Sequence, residues 1–232
     1  TLKLYSNVKE VYALYTEEGK DLNFSLEGRT SNLTDEMGAP LFSDESDFKD
    51  PRDNQVYKAV KIGNQVWMAE NLRYLPQVDK KDSDKKSRYF VYGYKGKNVS
   101  VAKNTEAYKK YGVLYNKTAA RSACPSGWHL PDSTEWNMLL TVAGGASVAG
   151  TKLKSKSNWT KNGNGTNEYA FNVIPGGYLS RYGDFYAIND YAGFWSSDGY
   201  ESYIGFSYYY ENVFQENYRI NIHALSIRCV KD

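Results

Sequence analysis

The stretch that decides the fold is Val56-Tyr-Lys-Ala-Val-Lys-Ile-Gly-Asn-Gln-Val-Trp-Met-Ala-Glu-Asn-Leu72. Residues 56–62 follow the period of two that is typical of a β-strand. Gly63-Asn64 is a two-residue turn signal, and the run Gln65–Met68 that follows it has the composition of a second strand. The stretch therefore predicts a β-hairpin.

One helix is well marked further along the chain. Asp132 is an N-cap candidate, and Glu135 stands three residues later, which is the spacing of a capping box. Gly144-Gly145 supplies a stop signal. The residues between fall at i, i+3, i+4 and i+7 and predict one buried stripe. That stripe consists of Trp136, Leu139, Leu140 and Ala143.

The rest of the chain indicates loops and short strands. We expect strands at Ala170–Ile174, ending at Pro175-Gly176-Gly177, and at Leu225–Val230, which closes the chain. Trp67, Trp128 and Trp136 are expected to be structural. The predicted fold class is α+β: loop-rich antiparallel β with one or two short helices and a disulfide.

The N-terminal segment differs in composition from the rest. Residues 1–53 are acidic, with twelve Asp or Glu against six Lys or Arg. Strand-like runs occur at Lys3–Tyr5, Val11–Tyr15 and Leu22–Leu26, and the polar stretch Ser43–Asp53 is the expected linker. We therefore divide the chain into an acidic β-appendage with a linker, residues 1–52, and a main domain, residues 53–232.

Charge and hydropathy exclude some classes of function. The net charge of +2 gives no bulk electrostatic case for nucleic acid, and we expect no such partner. Residues 77–112 are basic, but Asp79–Arg88 is expected to be a solvated loop. No apolar run is long enough to span a membrane, and no signal peptide opens the chain. Thr1 in place of Met is compatible with a removed export signal and equally with a trimmed start.

Aromatic residues make up 16% of the chain, with 22 Tyr against 9 Phe. Tyr suits half-wet positions because its ring packs while its hydroxyl reaches water or a partner. Together with Ser, Asn and Gly this composition is typical of secreted binding proteins. A β-protein with many exposed strand faces explains it equally well, so composition leaves both alternatives open.

Two cysteines, Cys124 and Cys229, and two histidines, His129 and His223, limit the metal and redox chemistry. Thiolate metal sites usually need more sulfur or nearby histidine. One widely spaced cysteine pair indicates a disulfide, which needs an oxidising compartment. The alternative is a pair of buried free thiols in a cytosolic protein.

Sequence motifs for catalysis are missing. The chain has no Gly-x-Ser-x-Gly elbow, zinc-protease helix motif or phosphate-binding Walker loop. Paired carboxylates for glycoside hydrolysis have one plausible location, the aromatic and acidic stretch Asp184–Glu216. Acidic residues on the solvent-exposed face of ordinary strands would explain that stretch equally well.

We place the candidate ligand site in the loops between Tyr178 and Tyr218. Repeated glycines break this segment, so loops rather than long strands present its side chains. Tyrosine and tryptophan rings offer contact area with few rotors to freeze, and acids and amides offer acceptors for sugar hydroxyls. The alternative is that these rings only fill the core, and we favour this alternative for Trp195. The candidate residues are Tyr182, Asp184, Tyr186, Asn189, Asp190, Trp195 and Asp198.

Calcium is the one cofactor that the sequence suggests. The Asn- and Gly-rich run 162–168 carries spaced oxygen ligands that suit Ca²⁺, although it lacks the Asp density of an EF-hand loop. A plain turn is the favoured alternative. The weak metal candidates are Asn162, Asn164, Asn167 and Glu168.

The motifs combine into a series that resembles the Fibrobacter succinogenes major paralogous domain, from about Asp53 to Asp232. Besides the opening hairpin, the series contains Tyr111-Gly-Val-Leu-Tyr-Asn116, Cys124-Pro-Ser-Gly-Trp-His-Leu-Pro131, Ala149-Gly-Thr-Lys-Leu-Lys154, Pro175-Gly-Gly-Tyr178, Phe194-Trp-Ser-Ser197 and Ile227-Arg-Cys-Val230. Two departures stand out. Lys117 occupies a position where family members commonly have Trp, and the extra Cys pair that some members carry within 77–112 is missing.

The resemblance implies an exported protein, often a lipoprotein or surface protein of Bacteroidetes or Fibrobacteres. It also implies that Cys124 pairs with Cys229, in a framework similar to C-type-lectin-like folds and to sulfatase-modifying factors. In those folds a long loop-rich region carries binding. The resemblance implies no activity. Both cysteines belong to the implied disulfide, so none remains to bind copper as in formylglycine-generating enzymes.

The leading hypothesis is a non-catalytic binding or adhesion domain, extracellular or on the outer-membrane surface. Its expected partner is an extracellular glycan or a surface protein, with lipid-anchored membrane attachment through a segment absent from this sequence as a further expectation. The second hypothesis is a structural subunit of a surface or pilus-like complex, assembled by strand addition. The third is an enzyme with an acidic cleft that acts on carbohydrate.

Overall fold

Short β-strands dominate the computed structural model, which describes residues 4–5, 13–15, 21–22, 42–79, 86–199, 202–216 and 222–232. The strands are β1 Leu4–Tyr5, β2 Ala13–Tyr15, β3 Asp21–Leu22, β4 Phe42–Lys49, β5 Val56–Ile62, β6 Gln65–Met68, β7 Tyr89–Phe90, β8 Leu114–Asn116, β9 Trp128–His129, β10 Gly176–Ser180, β11 Phe185–Ile188, β12 Tyr191–Trp195, β13 Tyr203–Ser207, β14 Phe214–Glu216, β15 Ile222–Leu225 and β16 Val230–Lys231. The helices are α1 Val99–Lys103, α2 Glu106–Tyr111, α3 Lys117–Ala120, α4 Ser133–Val142 and α5 Ala146–Leu153.

The predicted hairpin is confirmed as β5 and β6. Ile62 pairs with Gln65 across the two-residue turn, and Gly63 has a φ of +58°, which suits glycine because it has no Cβ. The hairpin belongs to a five-stranded sheet in the order β4-β5-β6-β16-β9. The last strand of the chain therefore pairs with the hairpin, and Val230 lies opposite Trp67.

The second large sheet follows the order β14-β13-β12-β10-β15-β8-β7, with β11 paired to β10. Its pairs are antiparallel except for β10 and β12, which run parallel where Gly177 lies opposite Ala192. The β13–β14 edge carries the loop 208–213, which connects these two strands. That loop forms one wall of the pocket described below.

Strand β5 buries apolar side chains on both of its faces, although its two lysines are exposed. Tyr57 and Ala59 pack into one core cluster, whereas Val60 and Ile62 pack into another. Side chains alternate between the faces of a strand, so the two pairs point in opposite directions. The hairpin thus separates the two main hydrophobic clusters.

Helix α4 is confirmed in its boundaries, cap and buried face. Asp132 accepts a hydrogen bond from the backbone N–H of Glu135, and Glu135 accepts one from the backbone N–H of Asp132. This reciprocal pair satisfies two donors that a helix start leaves free. The four residues of the predicted stripe are buried. Trp67 and Trp128 are buried too, so the prediction of structural tryptophans is confirmed.

Cys124 and Cys229 form the expected disulfide, with Cα atoms 5.9 Å apart and a sequence separation of 105 positions. Cys229 is completely buried and belongs to the first core cluster. The bond therefore connects the start of the segment before α4 to the last strand of the chain. The described residues contain no free cysteine, which removes the alternative of buried thiols.

Three local predictions are corrected. The stretch Ser43–Asp53 is not a linker, because β4 pairs with β5 along most of its length. Ala170–Ile174 is not a strand, since only Val173 forms an isolated bridge, to Lys154. The closing segment is divided between β15 and β16, which belong to different sheets.

The number of helices was also underestimated, since the described residues contain five helices rather than one or two. Four of them have eight residues or fewer, too short for a clear apolar period. The coarse fold class is confirmed: mostly antiparallel β-sheets with a few short helices and one disulfide.

At the N-terminus, β1, β2 and β3 form a three-stranded antiparallel sheet. These strands fall in or beside the three predicted runs at Lys3–Tyr5, Val11–Tyr15 and Leu22–Leu26, the remaining residues of which lie outside the described part. Most of the predicted loop Asp79–Arg88 also lies outside it, although Arg88 and Asp79 themselves form an ion pair of 2.6 Å. Whether residues 1–52 make a separate appendage stays a prediction.

Candidate functional site

The first three candidate residues lie on the hairpin formed by β10 and β11. Tyr182 is 78% exposed at its turn, and Asp184 is exposed beside it. Tyr186 is 46% exposed on β11, and its ring stacks on that of Tyr178 at a centroid distance of 5.8 Å. The hairpin therefore displays tyrosine rings to solvent, as predicted for a binding surface.

Asn189 and Asp190 lie in the turn between β11 and β12, where they hold neighbouring segments together. The hydroxyl of Tyr111 donates to Oδ1 of Asn189 at 2.7 Å, and the hydroxyl of Thr160 donates to Asp190. The carbonyl of Asp190 accepts the backbone N–H of Tyr208 at 2.9 Å. Three acceptors of these two residues are thus occupied by the protein itself, so both residues help to hold the turn in place.

Trp195 does not face a ligand, and its place in the candidate set is corrected. The side chain is 2% exposed at the end of β12, and its indole N–H donates to the carbonyl of Tyr115 at 2.6 Å. Its ring also packs edge-on against Tyr203. The alternative that this tryptophan belongs to the core is therefore the right one.

Asp198 is held at the start of α4. Its Oδ2 accepts the backbone N–H of Ser133 and the hydroxyl of Ser196. Partial burial opposes ionisation, but these hydrogen bonds outweigh it and lower the pKa of the Asp198 carboxyl. The carboxylate therefore acts as a second cap for the helix. The seven candidates lie on the β10–β11 hairpin, in the turn before β12, and at or just after the end of β12.

Lys117, the residue that departs from the family pattern, is buried behind the turn 196–198. Its ammonium donates to the backbone carbonyls of Ser196 and Asp198 and lies 5.3 Å from the centre of the Trp195 ring. Burial lowers the pKa of Lys117 to about 8, and the nearby Arg121 acts in the same direction. The lysine thus fixes the 196–198 turn from inside.

The side-chain oxygens of the Asn-rich loop 162–168 bond mostly to neighbouring parts of the protein. Oδ1 of Asn164 accepts the backbone N–H of Trp159, and Oδ1 of Asn167 accepts that of Asn172. Glu168 accepts a hydrogen bond from Thr166 and lies 3.7 Å from the ammonium of Lys152. Within the described residues no cluster of His, Cys, Asp or Glu could hold a metal ion. The calcium prediction gains no support from this arrangement.

Backbone conformation explains why this loop is rich in asparagine. Asn162 has a φ of +62° and Asn167 a φ of +48°. Asparagine tolerates left-handed backbone better than other residues with a side chain, because its short amide bonds locally. The sequence signal was therefore about turns, as the favoured alternative proposed.

A pocket of about 500 Å³ opens beside the same loop. Its walls are helix α5, the loop 161–164 and the loop 208–211. The side chains that line it include those of Lys154, Lys161, Asn162, Tyr209, Tyr210 and Glu211. Asn162 and Asn164 were considered only as metal ligands, and residues 208–211 were not among the seven candidates.

Close backbone contacts hold the walls of this pocket in place. A Cβ at Gly163 would lie 2.6 Å from the backbone of Tyr208, and a Cβ at Gly150 would lie 2.2 Å from the carbonyl oxygen of Glu211. Only glycine permits contacts this close. The backbone N–H of Val213 also donates to the carbonyl of Ala146 at 2.8 Å, which fixes the 208–213 loop on α5.

Consecutive tyrosines project from the loop into solvent. Tyr209 is 72% exposed and Tyr210 is 48% exposed. Their rings meet edge to face at 4.9 Å, and the ring of Tyr210 packs in the same way on Phe214 at 5.1 Å. The rings thus support one another and present a pre-arranged aromatic surface at the rim of the pocket.

Two lysines line the pocket in different ways. The ammonium of Lys161 lies 5.2 Å from the centre of the Tyr208 ring, on an exposed side chain. Lys154 is only 3% exposed, and it donates to the carbonyls of Ser207 and Tyr210 at 3.1 and 3.2 Å. Burial lowers the pKa of Lys154, and the carboxylate of Glu211 partly opposes that effect.

Sequence reasoning included this loop in the aromatic stretch Tyr178–Tyr218 but centred the site elsewhere. A usable signal was present in Tyr208-Tyr-Tyr-Glu211, because three successive tyrosines at a strand end cannot all point into the core. The part played by Lys154 had no local signal. That residue directly follows α5, more than fifty positions earlier, and only the fold brings it to the loop.

A family model described as Fibrobacter succinogenes major domain matches residues 60–231. No curated protein and no solved structure matches the chain. None of the helices among the described residues has the length and apolar character needed to cross a membrane.

Proposed function

The chain belongs to the Fibrobacter succinogenes major domain family, and from that premise we propose that it is a non-catalytic binding domain of an exported surface protein. Its ligand is a glycan, held in the pocket beside Tyr209 and Tyr210. The observation that carries the proposal is the pair of exposed tyrosine rings at the rim of a polar pocket with a fixed backbone. A surface protein that carries such a glycan is the corresponding partner.

The chemistry of the pocket suits a sugar. A pyranose ring has an apolar face that packs on an aromatic ring, and its hydroxyls need donors and acceptors around the edge. Tyr209 offers the ring, whereas Asn162 offers an amide and Glu211 a carboxylate. Tyrosine has few rotors, so ordering it on binding costs little entropy.

The disulfide supports the exported location. Disulfides persist in oxidising compartments and are rare in the cytosol of most organisms. The Cys124–Cys229 bond also supports the lectin-like framework that we propose for the domain, since it links the start of the segment before α4 to the closing strand. A lipid anchor would attach such a protein to the outer membrane.

The two other functions have weaker support. Glycoside hydrolysis uses a pair of carboxylates, whereas Glu211 is the one carboxylate among the described residues that line the pocket. Assembly by strand addition would use an open edge such as β4, but that strand carries Asp44, Glu45 and Asp47, and charged side chains discourage edge pairing.

A glycan-array screen of the purified domain tests the proposal, with and without Ca²⁺. We expect binding to a subset of glycans that is lost in Tyr209→Ala and kept in Tyr209→Phe, because the ring face rather than the hydroxyl makes the contact. Tyr182→Ala is the matched control, since Tyr182 is equally exposed but lies on the β10–β11 hairpin.

If binding survives Tyr209→Ala but is lost in Tyr182→Ala, the ligand site lies on the β10–β11 hairpin instead. If the folded domain binds no glycan on a broad array, the proposed function is wrong. Dependence of binding on Ca²⁺ would restore the calcium prediction for the 162–168 loop.

A further inference from the structure

The charges around the pocket do not balance. Lys154 and Lys161 contribute two ammonium groups, and Glu211 contributes one carboxylate. The remaining polar side chains of the described lining are neutral, so the pocket carries a net charge of about +1 in the neutral pH range. A ligand with one negative charge per binding unit would neutralise it.

Of the two lysines, Lys154 has the greater need of a negatively charged partner. Its ammonium is buried, and both of its hydrogen bonds within the described chain go to carbonyl oxygens. No carboxylate of the described residues lies within 4 Å of it, although that of Glu211 is near enough to raise its pKa. Two of the three N–H donors of this ammonium are thus used, and the ring centre of Trp159 lies 5.1 Å away, so a ligand oxygen would compete with that ring for the third donor. An anionic oxygen there would offset the cost of burying the charge.

Lys161 lies at the rim of the pocket, where it can bind the same ligand as Lys154. Its backbone has a φ of +49°, and its ammonium is held near the Tyr208 ring. The neighbouring Gly163 keeps this turn in contact with the backbone of Tyr208. The two lysines therefore border the same opening, one from beneath the loop 208–211 and one from the side.

Resting on the proposed function, we propose that the pocket selects acidic sugars of the uronic acid class. The sugar ring lies on Tyr209, its carboxylate bonds to the ammonium groups of Lys161 and Lys154, and Glu211 accepts from its hydroxyls. A uronic acid suits this set because its carboxylate projects from the edge of the ring, beside the face that stacks. Glu211 disfavours ligands with several charges on one sugar, because it would repel the additional anions.

The test measures affinity for a uronic acid oligosaccharide and for the same oligosaccharide with its carboxyl groups reduced to alcohols. We expect the acidic form to bind at least tenfold more tightly at low salt and to lose most of that advantage at high salt, because salt screens exposed charges. A sulfated neutral oligosaccharide is the third probe.

Lys161→Gln is the informative variant, because the exposed side chain can be replaced without disturbing the fold. It should lower the affinity for the acidic form towards that for the reduced form, while Lys161→Arg should retain the preference. Lys61→Gln, which removes an exposed lysine from β5, is the matched control and should change nothing.

The outcomes separate this inference from the proposed function. Equal affinity for the acidic and the reduced forms, with both lost in Tyr209→Ala, would overturn the acidic preference and leave glycan binding intact. A preference for the sulfated probe alone would overturn the uronic acid assignment. If the domain binds none of the three probes and no other glycan, both proposals fall.

Discussion

The guanidinium of Arg228 donates a hydrogen bond from Nε to Oδ1 of Asn71 across 2.9 Å, and both side chains are buried. Further donors of Arg228 bond to the carbonyls of Met68 and Asn172. The amide of Asn71 donates in turn to the carbonyl of Tyr111 at 3.0 Å. This network joins the opening hairpin to the last segment of the chain, and in the described residues the arginine makes no direct hydrogen bond to a carboxylate.

The network predicts a large loss of stability in Asn71→Leu. The substitution leaves the Nε–H of Arg228 and the carbonyl of Tyr111 without partners, and each buried unsatisfied group costs about 1–3 kcal/mol. We expect the free energy of unfolding to fall by about 3 kcal/mol, as measured by urea denaturation. Asn137→Leu, on the exposed face of α4, is the control and should stay within about 0.5 kcal/mol of the wild type.

The Arg-Cys-Val motif itself carries no signal for the buried contacts of Arg228. Burial lowers the pKa of Arg228 to about 9. Its guanidinium also lies 4.8 Å from the ring centre of Phe171, a residue from a distant loop. None of these partners is close to Arg228 in sequence, so periodicity carries no information about the contact. A buried arginine bonded to carbonyls emerges only when three separate segments fold together.

Trp136 offers a second test of the core. The ring is completely buried and lies 4.8 Å from the ring centre of Trp67 and 5.9 Å from that of Phe194. Trp136→Ala should lower the free energy of unfolding by about 3–5 kcal/mol, because a large cavity replaces the ring. Met138→Ala on the same helix removes a side chain that is 52% exposed and should change stability by less than about 0.5 kcal/mol. Equal effects in the two variants would contradict the packing.

The disulfide is expected to make a measurable contribution as well. Replacing both Cys124 and Cys229 by Ala removes a cross-link that closes a long segment, which constrains the unfolded chain. We expect a loss of about 2–5 kcal/mol in the free energy of unfolding. Mass spectrometry after alkylation without reduction should detect no modified cysteine in the wild type; two modified cysteines in folded, oxidised protein would disprove the bond.

The sequence places Asp198 and Tyr182 in one candidate site, whereas the structure predicts that substituting them has different effects on stability. Asp198→Ala removes the acceptor for the N–H of Ser133 at the start of α4, and loss of a helix cap costs about 1 kcal/mol. Tyr182→Ala removes an exposed ring and should leave the melting temperature unchanged. If Asp198→Ala is as stable as the wild type, the carboxylate does not act as a cap.

The parts of the fold that the sequence predicted are those set by local rules. The hairpin at Gly63-Asn64, the capping box of α4 and its buried stripe depend on residues within a few positions of one another. The strand β4 was missed because its residues are mostly polar or charged, and only its pairing with β5 makes it a strand. Tertiary contact overrides composition in such an edge strand.

The candidate site was predicted less well for the same reason. Exposed tyrosines were expected between Tyr178 and Tyr218, and Tyr182, Tyr186, Tyr209 and Tyr210 are indeed exposed. Which of them borders a pocket depends on how the 208–213 loop meets α5, through Gly150 and Gly163. A glycine that permits close contact between distant segments has no distinguishing signal in a single sequence.

His129 gives the protein a pH-dependent contact between α4 and the last residue of the chain. Its Nδ1 lies 2.6 Å from Oδ1 of Asp232, and its Nε2 lies 2.7 Å from Oε1 of Glu135. Partial burial lowers the pKa of His129, but the hydrogen bonds with the carboxylates of Asp232 and Glu135 outweigh it, so the pKa is raised above the ordinary 6.5. The charged imidazolium therefore favours the folded state.

The sign of the pH effect follows from that shift. A raised pKa in the folded state stabilises the protein fully below the unfolded value of about 6.5, and this contribution is lost as pH rises through the folded pKa. An NMR titration should show the ring signals of His129 changing above pH 6.5, and Glu135→Gln should move that change to lower pH. The difference in stability between the wild type and His129→Gln should shrink as the pH rises through the same range. A midpoint below pH 6.5 in the wild type would show that the two carboxylates do not hold the proton on the ring.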